Sequence, residues 1–167
     1  MNTIIDFLEK CNERVGELVS WLTVLMILAI SIDVVLRYVF QFTYIWMVEL
    51  EIYFFGMLFL LASGYTFRFD KHVRVDVFYA KCTERQQAWI NLIGGALFLI
   101  PWCYVVIVSS WYYGLVSLMI GEGSPQTGGL PALYILKFCI TIGFGFLGLQ
   151  GITNMLKSLQ LLLKPSN

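Results

Sequence analysis

Charge is scarce in this sequence. Lys, Arg, Asp and Glu together supply 13% of 167 residues, about half the share of an ordinary soluble domain. The two signs cancel, so no basic field exists to attract a nucleic acid. Histidine occurs once, at His72. One imidazole excludes the paired axial histidines of a membrane haem protein. The four cysteines, Cys11, Cys82, Cys103 and Cys139, are scattered and form no C-x-x-C. That spacing argues against a disulfide framework and against a zinc site. Cys103 and Cys139 fall in apolar runs, where cysteine behaves as a small hydrophobe. No Walker-type glycine loop, nucleophile with a base, or paired carboxylate set is present, and an enzyme needs one of these. No catalytic, cofactor-binding or metal residue is therefore expected in the chain.

What remains is apolar. Hydrophobic residues make up 59% of the sequence, more than a soluble domain of this length can hide. Lipid is the implied solvent, and the length suits one helical unit, residues 1–167. The expected fold is an all-α integral membrane protein with four transmembrane helices. The approximate spans are 18–38, 45–67, 88–113 and 132–156, each near the ~20 residues needed to cross.

Ile4, Leu8, Cys11, Val15, Leu18 and Leu22 recur at steps of three and four, with charged residues between them. This is the period of an amphipathic helix. It predicts an N-terminal amphipathic extension, either lying at the interface or continuous with the first span. Its acidic residues and lack of a small-residue cleavage site argue against a cleaved signal peptide. Asp33 and Arg37 are four apart and share a helix face. Tyr38, Phe40, Phe42, Tyr44 and Trp46 crowd the next turn and read as an interfacial belt. Glu49 and Glu51 enter the second span early and point in different directions; one of them can meet Arg37 across the turn. Pro101 predicts a bend in the third run. Ser109–Tyr113 resembles an interface, and Leu115–Ile120 is expected to turn partly along the membrane surface. Lys137 is expected to snorkel. Gly145, Gly148 and Gly151 recur every three residues and offer a thin face for another helix. Gln150 and Asn154 add candidate interhelical hydrogen bonds.

The segment RFDKHVRVDVFYAKCTER, Arg68–Arg85, is the one strongly charged stretch between long apolar ones. Its rhythm fits either a short strand or a helix on the membrane surface. His72 within it reads as a solvated or headgroup contact. With both termini on the cytoplasmic side, nine basic residues lie inside and two, Arg37 and Lys137, lie at or near the other side. The positive-inside rule favours that orientation.

Several motifs in order then carry a resemblance. RYVF at Arg37–Phe40 is followed by Trp46 and Glu49. Arg68 precedes KHVRVDV, Lys71–Val77. The last loop reads GEGSPQTGGLP, and LGLQG follows at Leu147–Gly151. From about Val15 to Leu159 the chain resembles the DctQ-like small membrane subunit of tripartite ATP-independent periplasmic (TRAP) transporters. Two departures stand out: Val48 occupies an acidic position of the W-x-E-E pattern, and Lys71 replaces a common glycine. The resemblance implies a scaffold beside a large DctM-like membrane subunit, with a periplasmic substrate-binding protein and membrane lipids as further partners. It implies a bacterial inner-membrane location and sodium-driven uptake of an organic anion. Sodium and substrate sites are then expected in the large subunit, and no cofactor in this one. Carried over by position, Arg37, Trp46 and Glu49 match the first outer connection, and Arg68, His72, Arg74 and Asp76 match the cytoplasmic signature. The competing reading is a self-contained four-helix transporter or channel.

Overall fold

A computed structural model describes residues 2–69 and 79–163, with side chains from Ile5 onward. His72, Arg74 and Asp76 lie outside the described residues. Among the described residues the helical segments are α1 (Asn2–Tyr38), α2 (Ile45–Leu61), α3 (Ser63–Arg68), α4 (Glu84–Gly94), a π-turn (Gly95–Leu99), α5 (Ile100–Met119) and α6 (Tyr134–Leu163). They make four helices long and apolar enough to cross a membrane.

The N-terminal extension and the first span are one helix. At 1.5 Å per residue, α1 is about 55 Å long, well beyond the ~30 Å hydrocarbon thickness. Its serines do not leave hydroxyls unpaired in an apolar setting. Ser20 donates to the Glu17 carbonyl at 2.6 Å and Ser31 to the Ile27 carbonyl at 2.7 Å. α2 and α3 form a second span, Ile45–Arg68. Ala62 between them keeps helical geometry, and its N–H still reaches the Leu58 carbonyl.

The third span runs unbroken from Glu84 to Met119, so the surface-lying segment expected at Leu115–Ile120 does not form. Thr83 starts it with a capping box closed by Gln86. A π-turn, Gly95–Leu99, lies directly before Ile100 and Pro101. Proline removes one helical N–H and crowds the carbonyl four residues back. The wider turn accommodates both, with the Ile100 N–H reaching the Gly95 carbonyl. The span ends in a Schellman motif. Gly121 takes φ +62°, its N–H bonds Leu118, and the Glu122 N–H bonds Ser117.

α6 is the central helix, packing against all the other helical segments. Glycine permits its closest crossing. A Cβ on Gly143 would stand 2.5 Å from the Leu60 carbonyl oxygen, and one on Gly64 would stand 2.8 Å from the Phe146 carbonyl oxygen. The two backbones therefore approach with no side chain between them.

Candidate functional site

Two polar assemblies close the ends of the bundle. The first joins α1, α3 and α6. Arg68, the last residue of α3, donates from Nη1 to the Glu13 carboxylate at 2.9 Å and to the Glu9 carbonyl at 3.3 Å. Its Nε lies 4.0 Å from the Glu9 carboxylate. Lys157 of α6 bonds that same carboxylate. Glu9 thus links three helices. Further along α1, Asn12 donates to Gln150 of α6 at 2.9 Å, and Gln150 donates to Asn154 at 3.2 Å. Asn12 is 2% exposed and Gln150 0%. Amides removed from water in this way must find partners inside the protein.

The second assembly lies at the opposite end, around the α1–α2 turn and the α5–α6 loop. Arg37 pairs with Asp33 one turn back on α1. Glu49 does not meet Arg37. Its carboxylate accepts from the Ser124 hydroxyl and, at 2.6 Å, from the Leu130 N–H. The reason is geometric: the α5–α6 loop folds over the start of α2 and presents donors there. Glu122 in the same loop bonds Lys137 of α6. Lys137 does not snorkel. It is 4% exposed, and its ammonium lies 3.6 Å from the centroid of the Tyr113 ring. The hydrogen bond from Lys137 holds the Glu122 carboxyl below its ordinary range, with the Ser117 hydroxyl as a lesser cause.

Between the ends, the Ser110 and Thr141 hydroxyls meet at 2.7 Å across α5 and α6. The three glycines read from the sequence separate here. A Cβ on Gly151 would strike Leu99, at 2.5 Å, and one on Gly148 would touch Cys103 at 3.6 Å. Gly145 would meet nothing within 4 Å and lines an open apolar cleft with Ile100, Cys103 and Tyr104. It is therefore not part of a close helix contact within this chain. Trp46 is partly exposed beside Tyr44, their ring centroids 6.1 Å apart.

The structure thus brings Glu49 and the GEGSPQTGGLP loop together, and Arg68 with Glu9 and Glu13. Sequence reasoning missed Asn12, Ser110 and Thr141. Asn12 sat within an amphipathic pattern whose buried face was not known, and its partner is 138 residues away. Among the described residues, no group of three or more His, Cys, Asp or Glu side chains is placed to hold a metal ion.

Long apolar helices, packed on a central α6 and tied by polar contacts at both ends, define a multi-pass helical membrane protein. The family model for the DctQ component of tripartite ATP-independent periplasmic transporters matches residues 6–161. The chain belongs to that family and is the small membrane subunit of such a transporter. Comparison with curated proteins gives no match.

Proposed function

We propose that this subunit is a fixed scaffold for a large membrane subunit that carries substrate and sodium. In this reading a periplasmic binding protein delivers an organic anion, and the sodium gradient drives uptake across the bacterial inner membrane. Both termini and the Arg68 assembly face the cytoplasm, in line with the excess of basic residues at that end. The α5–α6 loop faces the periplasm. Arg37, Trp46 and Glu49 keep that outer end in shape, and His72, Arg74 and Asp76 contribute to the cytoplasmic connection.

The observation carrying this reading is where the polar groups go. Asn12 and Gln150, and Glu9 and Arg68, bind across helices, and Lys137 of α6 binds Glu122 of the α5–α6 loop. A transport pathway needs polar groups facing a water-filled route; these six fasten the bundle instead, while one carboxylate oxygen each of Asp33 and Glu51 is buried without a partner. Much of the remaining helical surface is apolar and exposed, including Ile27, Phe59, Leu97 and Tyr104, and suits lipid or a larger helical partner.

The test is reconstitution. Proteoliposomes holding this chain alone should take up no organic anion. Adding the large subunit and the binding protein should give uptake that depends on a sodium gradient. Uptake by this chain alone would favour the self-contained transporter and overturn the scaffold reading.

A further inference from the structure

Two cavities adjoin on one side of the bundle and share Asn91. The first, about 220 Å³, is walled by Phe67, Ile90, Gly94, Gly95, Leu99 and Gly151. Asn154 supplies its other polar edge. The second, about 200 Å³, is lined by Tyr79, Glu84, Gln87, Lys157 and Ser158 among others. The composition therefore changes along one direction, from apolar to polar.

That direction runs along α4, the start of a helix long and apolar enough to cross a membrane. Trp89 is half exposed on α4, and exposed tryptophans favour the headgroup level. Glu84 lies on one side of it, at the helix start, and Ile90–Leu99 on the other. From Ile90 to Leu99 the helix advances about 14 Å, close to half of the ~30 Å hydrocarbon thickness. A slot of that length suits an acyl chain of one leaflet.

At Gly94 the groove is open because glycine has no side chain to fill it. A Cβ on Gly94 would meet nothing within 4 Å. The polar cavity contributes one cation and one anion, Lys157 and Glu84. Lys157 is 49% exposed beyond its bond to Glu9. Glu84 is exposed and has no side-chain partner among the described residues.

We propose that this groove holds one phospholipid with a primary-amine headgroup, of the phosphatidylethanolamine type. One acyl chain lies in the slot beside Gly94 and Gly95. The phosphate faces Lys157, and the ammonium donates to Glu84. A net anionic headgroup would leave Glu84 opposed by like charge, and a quaternary ammonium has no N–H to donate. The open cleft beside Gly145 provides an internal comparison. Ile100, Cys103, Tyr104 and Ile107 line it, with no charged residue, so it lacks the means to select a headgroup.

The experiment uses the full chain in nanodiscs of equal parts phosphatidylethanolamine, phosphatidylcholine and phosphatidylglycerol with identical acyl chains. The protein is then extracted in mild detergent and weighed by native mass spectrometry. One retained phosphatidylethanolamine is expected. Gly94→Phe should remove it, whereas Gly145→Phe should leave it in place. Glu84→Gln, a change on an exposed first turn, should lower retention of phosphatidylethanolamine about tenfold relative to phosphatidylcholine. The proposal is overturned by any of four results. These are no retained lipid, retention without headgroup preference, preference for phosphatidylglycerol, or equal retention by the Gly94→Phe protein. A Glu84→Gln protein with unchanged selectivity would overturn the headgroup assignment even if Gly94→Phe failed to fold.

Discussion

The two ends of the bundle are fastened differently. At the Arg68 end, side chains from three helices meet one another, and Lys157 and Glu13 remain partly open to solvent. At the Glu49 end, a carboxylate accepts from a backbone N–H and a hydroxyl of one loop, and a second carboxylate bonds a buried ammonium. Ion pairs partly open to water fix position less firmly and respond to salt. A carboxylate that accepts backbone N–H groups fixes a chain path more firmly. The Glu49 end should therefore be the stiffer one, and the Arg68 end should owe its order to the buried amides near it.

The comparison can be broken first at Glu49. Glu49→Ala removes both of the bonds that Glu49 makes to the 121–131 loop and should cost about 2 kcal/mol or more. Limited proteolysis should then cut the loop, and detergent unfolding should begin earlier. An uncut loop would show that Glu49 is not its anchor. The next effect is expected at Gln150. Gln150→Leu leaves the Asn12 amide buried without its acceptor, at a cost of about 1–2 kcal/mol. Equilibrium unfolding of the wild type and variant in mixed micelles measures it. Arg68→Gln should cost less, about 1 kcal/mol at most, and the difference should shrink in high salt. A salt-independent loss larger than that of Glu49→Ala would invert the ranking of the two ends.

Acid sharpens the contrast further, with the smallest expected change. The Glu122 carboxyl titrates below its ordinary value of 4.5 when folded, because Lys137 bonds it. Its contribution is fully present above about pH 4.5 and fades as pH falls through the lower folded value. Thermal melts at about pH 6 and about pH 4 should therefore differ more for the wild type than for Glu122→Gln. Equal differences in the two proteins would remove Glu122 from the account.

The helices themselves were legible because lipid imposes a strong pattern. Apolar runs of spanning length, the aromatic turn at Tyr38–Trp46 and the Gly/Pro loop at 121–131 mark all four spans. The Asp33–Arg37 pair was readable because four residues make one helical turn. The partners of Glu49 were not readable, since a backbone N–H at Leu130 leaves no mark in the side-chain sequence. Lys137 near a helix start looks the same whether it snorkels or turns inward. Only the positions of Tyr113 and Glu122 decide between them. The glycine repeat was visible, but a three-residue period walks around a helix of 3.6 residues per turn. Gly145 and Gly151 consequently face different surroundings.

The π-turn before Pro101 has a consequence for angular phase. Ala88 is buried on α4, and two heptads onward an uninterrupted helix would bring Trp102 to nearly the same face. Trp102 is instead 62% exposed, while the next residue, Cys103, is 3% exposed. From Cys103 the inward stripe continues through Ser110, Gly114 and Ser117. The wide turn absorbs one residue, about 100° of rotation at 3.6 residues per turn, and resets the count for everything after it. A single skipped beat thus decides that a thiol faces α6 and an indole faces outward.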